Sequence, residues 1–159
     1  MITVSVLAKN GVKNKDPEDI AINPQRIISI ADDKNGNASL LYIEFYFATN
    51  TYTVDISSKQ IMSITPDVDW IESFVVVPTK ENKTIYFNED YVVDITGSKI
   101  MSGANLTDGY VFEVATGKEL MKYLVIQTYP GSVYKLITEA DSLLFITEAD
   151  SLKIITQVD

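Results

Sequence analysis

The sequence predicts a mainly β protein, with antiparallel hairpins and a meander forming a sandwich or a partly open barrel, and one or two short helices. Three observations predict it. Apolar residues alternate with polar ones at a period of two in several short segments, as side chains do along a half-buried strand. Asn35-Gly36 lies between two apolar runs, the strongest short-range hairpin signal. Near the end of the chain Ile137-Thr138-Glu139-Ala140-Asp141-Ser142-Leu143 recurs identically as Ile146-Thr147-Glu148-Ala149-Asp150-Ser151-Leu152.

Taken in order, Met1 to Lys9 sets Ile2, Val4 and Val6 against Thr3 and Ser5, a strand and not a signal peptide. The segment from Asn10 to Asp19 is rich in Gly, Lys, Asn, Asp and Pro and is expected to be an exposed loop. Asn23-Pro24 then fixes a turn, and Ile27-Ile28-Ser29-Ile30 prefers an extended chain because β-branched side chains fit a pleated surface. After the Asp32–Asn37 turn, Leu40 to Phe47 returns as a strand. Leu41, Ile43, Phe45 and Phe47 form its core face, and Leu40, Tyr42, Glu44 and Tyr46 an amphipathic one. Thr51 to Ile56 is a third strand, after which Ser57 caps a helical turn through Met62 that Pro66 stops.

Phe74 to Pro78 reads as a buried strand, and Asn82-Lys83-Thr84 turns the chain into Ile85–Phe87. Ile22–Ile30 can be laid over Phe87–Ile95, each with a hairpin after it; a rival overlay lays Tyr52–Ile56 over Tyr91–Ile95 and Ile61-Met62-Ser63 over Ile100-Met101-Ser102. Thr116 and Glu119 have capping-box spacing, which predicts a short helix over Lys118–Leu124. The terminal repeat predicts a three-stranded meander with Leu136, Phe145 and Ile154 on one face and Val133, Ile137, Leu144, Ile146 and Ile155 on the other. Both faces are apolar, so either another chain covers one or the domain sandwiches the sheet. The whole reads as one β-rich domain, 1–159, with two related modules, about 1–65 and 66–132, and the meander 133–159.

Composition excludes several functions. The chain of 159 residues is 46% hydrophobic and 22% charged, which suits a folded domain. A formal net charge of -9 and a single arginine, Arg26, argue against a nucleic-acid surface, because phosphate neutralisation needs clustered Lys and Arg. The absence of both cysteine and histidine removes disulfides, thiolate nucleophiles, the usual general base and the commonest zinc ligands. No apolar run approaches the roughly 18 residues of a membrane span. Asp33, Asn35, Asn37 and Glu44 have calcium-loop spacing, but Ala38 stands where that loop needs glycine, and a hairpin turn is the simpler reading.

No catalytic residue, metal ligand or cofactor is therefore assigned. Asp67 and Asp69 flank the approach to the only tryptophan, Trp70, and as i, i+2 residues of a strand they would share a face, as a ligand-binding or sugar-cleaving pair would. Acidic pairs in loops are commonplace, and Trp70 serves equally well as a core or contact residue.

The run Ile22–Ile30, the hairpin after it and Tyr52-Thr53-Val54-Asp55-Ile56-Ser57-Ser58 resemble small β-rich proteins encoded among phage structural genes. The resemblance covers about the first 65 residues and rests on a loose pattern without a diagnostic motif. It implies a non-enzymatic virion component, assembled in the host cytoplasm, that decorates or joins a capsid or tail through contacts with itself or other virion proteins. The expected interface is Tyr42, Tyr46, Val133, Ile137, Leu144, Ile146 and Ile155. The alternative is a ligand-binding β module, for carbohydrate, around Asp67, Asp69 and Trp70.

Overall fold

A computed structural model describes residues 1–34, 36–45, 48–77, 81–102 and 105–128. The protein is mainly β and antiparallel, with one α-helix and two 3-10 turns among the described residues. It divides into two compact units: Met1–Trp70 with Ile85–Tyr91 and Thr116–Glu119, and Ile71–Thr84 with Val92–Ala115 and Leu120–Asp159.

The first unit begins with a hairpin of β1 (Ile2–Lys9) and β2 (Val12–Ile22). This overturns the loop expected over Asn10–Asp19. The turn is Asn10-Gly11, both at positive φ (51° and 82°), the left-handed conformation that Asn and Gly tolerate and that matches strand twist. Asn10 also fastens the turn to the next strand, donating from its backbone N–H to the Thr51 carbonyl (2.7 Å) and accepting from the Thr51 N–H through Oδ1 (2.8 Å). β2 could be mistaken for a loop because it is an outer strand, exposed along most of its length, and therefore carries charge where a central strand would carry aliphatics. Pro17, which lacks an N–H, is tolerated in such a strand.

A 3-10 turn (Pro24–Arg26), capped by Asn23, leads into β3 (Ile27–Asp32), which forms hairpins in succession with β4 (Ser39–Phe45) and β5 (Ala48–Val54). Gly36, at φ 72°, supplies the positive angle in the β3–β4 turn. The helix α1 (Ser58–Ser63) follows with a complete capping box: Ser57 accepts from the Gln60 N–H, and Gln60 Oε1 accepts from the Ser57 N–H.

The strand order is β2-β1-β5-β4-β3, continued by β7 (Lys83–Asn88) beside β3. β2 and β3 thus stand four strand spacings apart, ~19 Å in a flat sheet. The link from Ile22 to Ile27 reaches at most ~18 Å fully extended, and the 3-10 turn shortens it. The five strands must therefore curl, giving this unit the partly open form of barrel. Inside the curl Val4, Val6, Ile27, Ile30, Leu41, Ile43, Val54 and Ile61 form one buried cluster. Leu41 and Ile43 keep their expected core places, whereas Phe45 is 60% exposed, because β4 outruns the cluster at that end. Phe47 lies outside the described residues.

The second unit has strand order β6-β10-β9-β8, with β6 at Trp70–Val75, β8 at Val92–Ser102, β9 at Asn105–Ala115 and β10 at Leu120–Thr128. β6 starts four residues before the expected strand at Phe74. Lys118–Leu124 is not helical: Leu120 to Val125 pairs with β9, opposite Ala115 to Tyr110. Thr116 Oγ1 does accept from the Lys118 and Glu119 N–H groups (3.2 and 3.1 Å), but this closes a hairpin turn rather than opening a helix. The buried side chains here include Ile71, Val75, Ile100, Phe112, Val114 and Val125. The meander expected over 133–159 lies outside the described residues.

Candidate functional site

Where β2 ends, its outer edge borders an open cleft of about 220 Å³ within the first unit. Ile20 and Ile22 line one side, Ile43, Phe45 and Tyr52 another, and Met1 contributes at the chain start. Ile22 and Ile43 are buried, Ile20 and Tyr52 half-buried, and Phe45 open to solvent. A mostly apolar hollow beside a strand whose outer edge has no partner among the described residues suits an incoming peptide strand: the edge offers hydrogen bonds and the hollow takes side chains.

The polar part of the cleft holds Asn23, Arg26 and Glu44. Asn23 Oδ1 accepts from the Gln25 N–H (3.0 Å), which fixes the corner between β2 and β3 and leaves its amide nitrogen on an exposed residue. Glu44, half-buried on β4, accepts from the Gly117 N–H. Tyr91 stands close by and donates its hydroxyl to the Gln25 carbonyl (3.3 Å). Burial, reinforced by a hydrogen bond to Glu44 and its negative charge, pushes the Tyr91 hydroxyl up to about 12 against the opposing pull of Arg26. It is therefore a neutral donor at ordinary pH, and Arg26 provides the positive charge at this corner.

The residues singled out in the sequence do not gather here. Tyr42, half-buried on β4, donates to Thr49 Oγ1 (3.0 Å) across the β4–β5 hairpin. Tyr46, Val133, Ile137, Leu144, Ile146 and Ile155 lie outside the described residues.

Trp70 is half-buried, packs against the core of the first unit, and donates from Nε1 to Thr65 Oγ1 (3.1 Å). Asp67 and Asp69 are exposed, in a turn-and-bend segment and not in the strand that would have put them on a common face. Their backbone carbonyls accept, Asp67 from Gln25 Nε2 (3.5 Å) and Asp69 from the Glu89 N–H (2.9 Å). Among the described residues no three Asp or Glu side chains group as metal ligands would.

The sequence places Ile22 and Asn23 at a strand entry and turn but gives Ile20 to Asn23 no site role, because the segment before them reads as a loop. The overlooked signal was Asn10-Gly11, the same dipeptide that marks the β3–β4 turn. Set against protein-family models, curated proteins and solved structures, the chain matches none.

Proposed function

We propose that this protein is a non-enzymatic assembly component that acts by strand addition at the outer edge of β2, next to the apolar cleft. The observation that carries this reading is the conjunction of a strand edge without a partner among the described residues, Ile20–Ile22, with a hollow lined by Phe45, Ile43 and Tyr52. A solvated edge alone is a liability that proteins blunt with charge or proline, and β2 is blunted over Lys13 to Asp19 by both. The blunting stops where the cleft begins. Support also comes from composition, since a chain without histidine or cysteine lacks the commonest tools of acid–base and nucleophilic catalysis.

Together with the likeness of the first 65 residues to phage structural proteins, this suggests a virion part that joins copies of itself or neighbouring proteins in a capsid or tail. Sedimentation of the full chain over a wide concentration range tests the reading. Mass that rises with concentration to a defined oligomer or chain of copies is expected. A monomer at every concentration would count against self-assembly and leave only other virion proteins as partners.

A further inference from the structure

Two corners of the chain are built alike. Asn23 and Asn88 each accept through Oδ1 from the N–H two residues on, that of Gln25 and that of Asp90, both at 3.0 Å. Each asparagine precedes a three-residue 3-10 turn, Pro24–Arg26 or Glu89–Tyr91. Each turn enters a strand whose register breaks after its first residue, between Ile27 and Ser29 in β3 and between Val92 and Asp94 in β8.

All these features share one constant offset in the numbering, that of the Ile22–Ile30 and Phe87–Ile95 overlay. The rival overlay would lay the helical Ile61-Met62-Ser63 on Ile100-Met101-Ser102, which is strand.

The surrounding strands correspond as well. β3 pairs with β4, β4 with β5 and β1 with β5, as β8 pairs with β9, β9 with β10 and β6 with β10. Equivalent positions in these ladders, Val6 and Val75, Leu41 and Phe112, Val54 and Val125, are all buried. In this correspondence β8 is the counterpart of β3, and β2 the counterpart of β7.

β3 and β7 are themselves paired, with Ser29 opposite Phe87, Ile30 opposite Tyr86 and Ala31 opposite Ile85. Asn88, 1% exposed, completes this junction by donating from Nδ2 to the Ile27 carbonyl (2.9 Å). Their counterparts β8 and β2 each have, among the described residues, a ladder partner on one side only. Asn23, the counterpart of Asn88, is exposed.

We infer that β8 of one copy pairs with β2 of a second copy in the register that β3 and β7 use within the chain. This sets Asp94 opposite Ile22, Ile95 opposite Ala21 and Thr96 opposite Ile20, and brings the Asn23 amide of the second copy to the Val92 carbonyl. The inference rests on the assembly reading above and names its partner as the protein itself. The contact is head to tail, so it either closes a ring or extends as a file of copies. Its shortness follows from β2, where only Ile20 to Ile22 lies beyond Pro17 and the charged run, and three residues are also what β3 and β7 share.

A chain without cysteine allows a direct test by disulfide trapping. Full-length Ala21→Cys and Ile95→Cys, each verified as folded by circular dichroism, are oxidised separately and then as an equal mixture. The mixture is expected to yield a 21–95 linked dimer, and the variant carrying both substitutions a ladder of linked oligomers. Thr96→Cys with Ile20→Cys probes the same register should either first variant fail to fold. Linked dimers of one variant alone would overturn the head-to-tail pairing. Concentration-dependent mass in the unsubstituted chain without either cross-link would overturn this register while sparing the assembly reading. A monomer throughout would overturn both inference and self-assembly.

Discussion

At the scale of single residues, asparagine does unusual structural work. Its side-chain Oδ1 stands in for a backbone carbonyl and accepts from the N–H two residues ahead, so Asn23 and Asn88 build the same corner although the residues after them differ, Pro24-Gln25-Arg26 against Glu89-Asp90-Tyr91. The Nδ2 group left over is bonded and buried in one case and exposed in the other. Tyr91 beside the first corner carries the clearest pH signature. Its folded-state pKa lies near 12, above the ordinary value of 10.0, so the unfolded chain releases this proton more readily. The stabilisation is fully present below pH 10 and is lost as pH rises from 10 towards 12. In an alkaline absorbance titration Tyr91 is expected to ionise near pH 12, and Tyr91→Phe to diminish the absorbance change in that range. Unchanged titration in Tyr91→Phe would contradict the assignment.

At the scale of elements, close approach of backbones decides where glycine is needed. A Cβ on Gly109 in β9 would lie 2.5 Å from the Val125 carbonyl oxygen and 2.7 Å from Ile100 Cγ1. Backbone cannot yield as a side-chain tip can, so Gly109→Ala is expected to destabilise the protein by about 1–3 kcal/mol in denaturant unfolding. A midpoint equal to that of the unsubstituted chain would show that β9 and β10 can separate without cost.

Much of the element pattern was legible in the sequence, and the failures share a cause. β1, β4 and α1 announce themselves: buried Val4 and Val6 alternate with Thr3 and Ser5 in β1, buried Leu41 and Ile43 alternate with half-buried Leu40, Tyr42 and Glu44 in β4, and Ser57 caps α1. β2 was hidden because an outer strand owes its existence to a neighbour, here β1, and not to its own apolar period. The Thr116 turn passed for a helix start because a threonine oxygen satisfies the same N–H groups in a tight turn as at a helix cap. Of the cleft, the alternation along β4 marks only Ile43 and Phe45 as core, and Phe45 is open to solvent. A cleft joins residues distant in sequence, Ile20 with Phe45 and Tyr52, and no local pattern records that meeting.

At the scale of the whole molecule, the proposal is that a pairing made once inside the chain is made again between chains. Among the described residues β2 and β8 each have a ladder partner on one side only, and these are the counterparts of two strands already joined. These are two different strand edges, and copies meeting by them need no symmetry axis. Backbone amide exchange, followed from dilute to concentrated full-length protein, reads both edges at once. Residues 20–22 and 94–96 are expected to slow together as copies associate, while residues 29–31, paired within the chain, exchange at one rate throughout. Association that leaves either edge exchanging as fast as in the dilute chain would contradict the pairing of β8 with β2.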